Sequence, residues 1–199
     1  MDQARLAAWL EQELGEVLRA MAPVGGGCIH SAWRLELADG RRLFAKTNRA
    51  SLLPVLAAEA DGLRALAEAV RAAAHTDGRQ PLTIPTPLTL AERDGTALLL
   101  LSWLELGVRC ADPDGAWRCL GTSLAQLHRA SLSGHDGRFG WGQDNFIGSG
   151  PQPNGWCSDW GRFFSEQRLG AQLAWAARGG RRLAGGEALL ERAAAWLGR

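Results

Sequence analysis

The stretch GGGCIHSAWRLELADGRRLFAK, residues 25–46, decides how the rest of this chain is read. Gly25, Gly26 and Gly27 open a loop, continued by Cys28, Ile29 and His30, which runs into a segment where Trp33, Leu35 and Leu37 alternate with Arg34 and Glu36. Alternation at a period of two is the pattern of a half-buried strand. Asp39-Gly40 is a hairpin signal, and Leu43-Phe44-Ala45-Lys46 is a further strand that ends on a cation. With an extended segment ahead of the glycines, the expected order is strand, glycine loop, strand, tight turn, strand.

Lys46 is the only lysine; the other 21 of the 22 basic residues are arginines. A compact ammonium on a flexible stem reaches between closely spaced phosphates where the wide guanidinium fork does not fit. One lysine left over by compositional bias is the competing reading, and the neighbours of Lys46 decide between the two. From about residue 53 to 74 the spacing of Leu56, Leu63, Leu66 and Val70 predicts a helix, and Glu59 falls within that stripe. A carboxylate on the inner side of a helix needs a cation or a donor. At the stripe's edge it would simply be solvated.

Working outward, residues 4–18 read as a helix with Leu6, Leu10, Leu14 and Leu18 on one stripe. Residues 75–80 read as a polar loop, with an extended segment framed by Pro81, Pro85 and Pro87 after it. Residues 96–101 are an uninterrupted apolar strand that leaves through Ser102-Trp103-Leu104-Glu105 toward a loop at 107–115, the expected lobe boundary. A helix over 115–131 carries Trp117, Leu120, Leu124 and Leu127, with His128 near its end. Residues 134–158 form a long glycine-rich aromatic loop, of the kind that makes binding surfaces. Asp159 can cap a helix over 160–177, and a last helix covers 187–197.

Composition narrows the field. A hydrophobic fraction of 46% over 199 residues can supply a core. A net charge of +1 without clustered Lys and Arg argues against a nucleic-acid partner. No apolar run approaches a membrane span, and residues such as Asp2, Arg5 and Glu11 do not make a signal peptide. The expectation is a cytoplasmic protein with no membrane partner. Cys28, Cys110, Cys119 and Cys157 form no CxxC pair and no zinc-like spacing with histidine, so reduced thiols and no metal site are expected.

Glycine loop, lysine, helix glutamate and a strand leading to a hinge are together the parts that hold a nucleoside triphosphate in kinase-type folds. A Walker A loop would place Gly-Lys-Ser/Thr at the loop's end, and a dinucleotide fingerprint would open a helix; this loop does neither. The chain resembles the fructosamine kinases (ketosamine 3-kinases), relatives of aminoglycoside phosphotransferases and protein kinases. The resemblance is carried by GGCIHSAWRLEL from Gly26, DGRRLFAKTN from Asp39, EADGL from Glu59, LGTSLAQLH from Leu120, FGWGQDNFIGSGPQPN from Phe139 and DWGRFFSEQRLGAQL from Asp159.

The resemblance implies an α+β, protein-kinase-like two-lobe fold. Residues 1–106 would form an N-lobe with an antiparallel sheet and a helix, and residues 107–199 an incomplete helical C-lobe. It implies ATP-dependent phosphorylation of ketosamines, fructosamine or ribulosamine, either as small molecules or on glycated protein lysines, leading to deglycation. Carried over by residue, Gly25, Gly26 and Gly27 would cover the phosphates, Lys46 would contact them and Glu59 would hold Lys46. Ser102, Trp103 and Leu104 would hold adenine through the hinge backbone.

The pattern departs from the family at one point. The His-Gly-Asp-Leu-Trp catalytic segment and the metal-binding Asp, expected beyond the last helix, do not occur; His135-Asp136-Gly137 has the letters in another order and reads as a polar loop. No catalytic residue and no ligand for Mg²⁺ is therefore assigned. The expectation is a fragment that is inactive alone and whose final helices expose an apolar face. A related aminoglycoside-type kinase, or a non-catalytic remnant that binds nucleotide or a partner, stays open. Cys28, inside a loop of inward-pointing N–H groups, is either a small apolar filler or a low-pKa thiol. The resemblance brings the second level with the first and suggests a redox-linked homodimer.

Overall fold

The computed structural model describes residues 2–27, 29–74, 82–106, 112–134 and 136–198. The polar loop expected at 75–80, most of the boundary loop at 107–115, Cys28, Cys110 and His135 lie outside them. The chain divides into two compact units, Met1–Ala130 and Ser131–Arg199.

In the first unit, helix α1 (Gln3–Leu14) starts on Asp2, whose side chain accepts the Arg5 N–H at 2.9 Å. It ends earlier than its leucine spacing suggested. Gly15 adopts φ 67° and turns the chain out of the helix, a conformation that costs little without a Cβ. The Glu11 carboxylate then accepts the Leu18 N–H at 2.8 Å. Leu18 therefore begins strand β1 (Leu18–Val24) instead of closing a helical stripe.

Strands β2 (Ser31–Leu37), β3 (Arg42–Arg49), β4 (Pro87–Arg93) and β5 (Thr96–Ser102) complete an antiparallel sheet of order β1-β2-β3-β5-β4. Gly40, at φ 87°, makes the expected β2–β3 turn. One face carries Leu35, Leu37, Leu43, Ala45, Leu98 and Leu100 against Leu6, Trp9 and Leu10 of α1. The other carries Ala97, Leu99 and Leu101 against Leu56 and Ala60 of helix α2 (Leu53–Ala74). Covered on both faces, β5 has no position for a polar side chain between Ala97 and Leu101, which explains its unbroken apolar run. Each such leucine contributes about 1.5–3 kcal/mol on burial.

The α2 stripe holds for Leu56 and Val70, whereas Leu66 is exposed. At about 100° per residue, Leu66 lies roughly 80° around the helix from Leu56, beyond the line of contact. Glu59, roughly 60° away on the same side, sits at the margin of the contact, neither sealed in the core nor free in solvent. Helix α3 (Pro113–Ser131) begins two residues ahead of expectation, because Asp112 accepts the Gly115 N–H at 2.9 Å and Pro113 takes the first helical position. Of its apolar stripe only Leu127 is buried; Trp117, Leu120 and Leu124 are exposed. Periodicity marks an apolar face, and burial requires a neighbour besides.

In the second unit the glycine-rich segment is ordered rather than a plain loop. Strands β6 (Asn145–Ile147) and β7 (Gly150–Gln152) form a hairpin, and Phe139 and Cys157 exchange backbone bonds of 2.8 and 2.9 Å. Asp159 caps helix α4 (Trp160–Phe164) by accepting the Arg162 N–H at 2.6 Å. The expected single helix continues through a wide π-type turn (Ser165–Gly170) into α5 (Ala171–Arg178), and α6 (Gly186–Leu197) follows.

That turn delivers Arg168 to the hairpin segment. Its guanidinium donates to the Pro153 carbonyl and to Asn154 Oδ1, each at 2.6 Å, and lies 4.5 Å from the Phe163 ring centre. Asn154 is 1% exposed; its amide N–H bonds Asp144 at 2.8 Å and its side chain bonds the Gln143 carbonyl at 3.1 Å. The unit also depends on a close helix crossing. A Cβ on Gly161 would lie 2.2 Å from the Ala194 carbonyl oxygen and 2.6 Å from the Gly198 nitrogen, both backbone atoms of α6 and its end. Gly161→Ala is expected to destabilise this unit by about 1–3 kcal/mol, the range for overpacking, read as a lower Tm by circular dichroism.

Candidate functional site

Lys46 and Glu59 meet. Nζ donates to Oε1 at 2.6 Å, with the two side chains 26% and 28% exposed. Lys46 lies opposite Ala32 of β2 and Leu99 of β5, and because Ala45 faces α1, alternation turns Lys46 toward α2. A partly exposed pair of this kind adds little to stability. Its effect is positional, since it holds a flexible ammonium at one place beside the glycine loop.

Two cavities adjoin at that place. One, of about 420 Å³, is lined by Gly25, Gly26, Gly27, Ile29, His30, Ala32, Phe44 and Lys46. The other, of about 460 Å³, is lined by Val24, Phe44, Lys46, Glu59, Leu63, Pro85, Leu101, Ser102, Trp103, Leu104 and Leu106. Both are in the size range of small-molecule sites, and Phe44 and Lys46 belong to both. Three of the residues that bound the first are glycines, and Gly26 has φ 104°, which a side chain would strain. The second is walled mainly by aliphatic and aromatic groups.

The hinge is fixed from both sides. The Ser102 amide donates to the Thr86 carbonyl at 3.0 Å, and the Ser102 hydroxyl accepts the Thr86 N–H at 2.8 Å. The Ser102 N–H is thereby committed to Thr86, and Ser102 anchors the strand's exit. Beyond it, the Arg42 guanidinium lies 5.8 Å from the Trp103 ring centre and pairs with Glu105 at 2.8 Å. Trp103 Nε1 also donates to Glu105, at 3.2 Å. Trp103 and Phe44, 6.3 Å apart between ring centres, both line the larger cavity.

Sequence reasoning named Trp103 but did not single out His30, Asn48 or the Arg42 and Glu105 partners of Trp103. Adjacency to the glycines was a signal for His30, but the others are joined only by register across the sheet and its exit. Burial and the charge of Lys46 lower the His30 pKa, and Glu59 opposes them. Cys28 lies outside the described residues; the free thiols within them are Cys119, exposed, and Cys157, half-buried. Among the described residues no three His, Cys, Asp or Glu side chains come together as a metal site, and no helix is long and apolar enough to cross a membrane.

Residues 1–198 match the fructosamine kinase family. The chain belongs to that family. A probable ketoamine kinase of Synechocystis sp. is 38% identical over 176 residues, which cover 87% of this chain and 54% of that protein. The chain thus spans about half the length of the curated relative it matches. Among solved structures, one from Haemophilus somnus 129PT, assigned by name to the fructosamine-3-kinases, superposes with a TM-score of 0.72 at 22% identity, over 95% of this chain and 59% of that one. A thermostable mutant of an aminoglycoside phosphotransferase, in ternary complex with ADP and hygromycin B, gives 0.50 at 14% identity over 86% and 52% of the two chains. At those identities the two structures show the fold alone. It is the protein-kinase-like α+β fold with an antiparallel five-stranded sheet.

The lowered His30 pKa fixes the sign of its pH effects. The unfolded chain takes up a proton on this ring at a higher pH than the folded one, so stability at this site is lost as pH falls through the ordinary histidine range. An NMR titration of the imidazole signals should place the His30 midpoint below the ordinary value. Lys46→Met should raise it and Glu59→Gln should lower it further.

Proposed function

We propose that this chain holds ATP for a kinase that phosphorylates ketosamines. The observation that carries the reading is the Lys46–Glu59 contact of 2.6 Å at the junction of the two cavities. In this reading Gly25, Gly26 and Gly27 bring backbone N–H groups to the phosphates, and Lys46, held by Glu59, neutralises charge on them. The adenine lies against Phe44 and Leu101 in the apolar cavity and meets the hinge backbone at Trp103 and Leu104, with Ser102 anchoring that hinge. The ligands for magnesium would belong to the family's His-Gly-Asp-Leu-Trp and later Asp segments, which do not occur in this sequence, and no step is assigned to it.

The substrate class is supported by family membership and by the ketoamine kinase name of the Synechocystis relative. On this view the acceptor is a fructosamine- or ribulosamine-type adduct, free or on a protein lysine, and phosphorylation leads to deglycation in the cytoplasm. The sequence contains no His-Gly-Asp-Leu-Trp segment, so these 199 residues alone have no general base in the expected place and are proposed to be inactive. Calorimetry should detect ATP binding to the 199-residue protein and its loss in Lys46→Met, and a coupled assay should give no turnover of fructosamine with ATP and magnesium. Unchanged ATP affinity in Lys46→Met would overturn the nucleotide assignment; turnover would overturn the proposed inactivity.

A redox-linked homodimer through Cys28 belongs to the same proposal and is supported by the resemblance alone. Mild peroxide should produce a dimer on non-reducing electrophoresis, absent from Cys28→Ala. A dimer of equal yield in that variant would remove Cys28 from the account.

A further inference from the structure

We infer that Asn48 holds His30 as the neutral tautomer with its hydrogen on Nε2, and that His30 donates this hydrogen to a phosphate oxygen in the glycine-loop cavity beside Lys46. The second half rests on the nucleotide reading above, whereas the first stands on hydrogen-bond geometry alone.

The orientation of the Asn48 amide is settled by two backbone partners. Oδ1 accepts the Arg49 N–H at 2.8 Å, and Nδ2 donates to the Ile29 carbonyl at 2.6 Å. Exchanging the two ends would set oxygen against a carbonyl and NH₂ against an N–H, losing both bonds. With Nδ2 so placed, it stands 3.0 Å from His30 Nδ1. An amide nitrogen cannot accept a hydrogen bond, so Nδ1 presents its lone pair and the single hydrogen of a neutral ring is on Nε2. Protonating Nδ1 would bring two donors face to face.

The surroundings act in the same direction. The charged groups facing the ring are Lys46 from β3 and Glu59 from α2; partial burial and the Lys46 charge both disfavour an imidazolium, and Glu59 only partly offsets them. Among the described residues nothing occupies Nε2, and His30 lines the cavity bounded by the three glycines and Lys46. A donor of this kind serves an anion without placing a second full positive charge beside Lys46. It also requires that the ligand atom it meets be an acceptor, as every terminal phosphate oxygen is. The adenine cavity does not include His30, so the contact concerns the phosphates only.

The test uses the whole 199-residue protein. Imidazole nitrogen NMR, with only four histidines to assign, should find His30 neutral near pH 7 with hydrogen on Nε2. Asn48→Asp, which puts an acceptor opposite Nδ1, should move a hydrogen onto Nδ1 and raise the titration midpoint. By calorimetry, His30→Leu should weaken ATP binding about tenfold, the scale of one hydrogen bond to a charged acceptor, and leave adenosine binding unchanged. His30→Gln, which retains an amide donor, should recover most of the loss.

An Nδ1–H tautomer in the wild type overturns the role of Asn48. Unchanged ATP affinity in His30→Leu, or equal weakening of ATP and adenosine, overturns the phosphate contact. Absence of any ATP binding by the wild type overturns the nucleotide reading together with that contact, and the NMR result still decides the tautomer.

Discussion

Strand β3 is shared by two structural tasks, and the alternation of its side chains keeps them apart. Leu43 and Ala45 enter the core under α1, and the next residue of that set, Thr47, is buried and accepts the Trp33 indole N–H at 2.9 Å. The intervening residues, Phe44, Lys46 and Asn48, project the other way. Phe44 forms a wall common to both cavities, Lys46 meets Glu59, and Asn48 reaches the loop carbonyl of Ile29 and the ring of His30. A one-residue slip of β3 would send the ammonium into the leucine core and Leu43 and Ala45 toward the cavity. Burial of the core face thus sets the register of the site face.

Within this arrangement electrostatics work over short distances between half-exposed groups. The Lys46–Glu59 pair spans sheet and helix, so its geometry depends on α2 lying flat on Leu99 and Leu101. Where α2 touches the sheet, Leu56 and Ala60 are fully buried. Glu59, at the margin of that contact, can extend toward Lys46 and still avoid the full desolvation cost of a buried carboxylate. His30 lines the same cavity as the ammonium, and burial and the Lys46 charge both lower its pKa, with Glu59 opposing them.

The second unit follows a different rule, because hydrogen bonds from Arg168 and Asn154 tie its glycine-rich segment together beside an aromatic cluster of Phe139, Trp160 and Phe163. Polar groups organise it. Arg168 reads the carbonyl of Pro153 and the side chain of Asn154, and Asn154 in turn ties Asp144 and Gln143. Leaving the buried Asn154 side chain unpaired would cost more than its bonds contribute. Trp175 of α5, Trp196 of α6 and Leu183 between the two helices are exposed.

Much of the first unit was legible because its signals are local. Alternation gave β2 and β3, Asp39-Gly40 gave their turn, and an unbroken apolar run gave β5. The end of α1 was misread because Leu14 and Leu18 continue a helical spacing, while the decisive features, a left-handed Gly15 and the Glu11 bond to Leu18, lie in backbone geometry and a contact seven residues long. The hairpin at 145–152 and the wide turn at 165–170 were not visible either, and the bonds of Arg168 to Pro153 and Asn154 join residues 15 and 14 positions apart.

By itself the sequence determined which residue types could hold a polyanion, through a single lysine, three glycines and a glutamate on a helix stripe, because spacing and chemistry are written in the order of residues. Only the tertiary structure decided that Lys46 and Glu59 lie 2.6 Å apart, that Ser102 spends its amide on Thr86, and that Asn48 faces the ring of His30. Those are pairings between elements. Strand register and helix docking set them, and no local pattern of side chains records either.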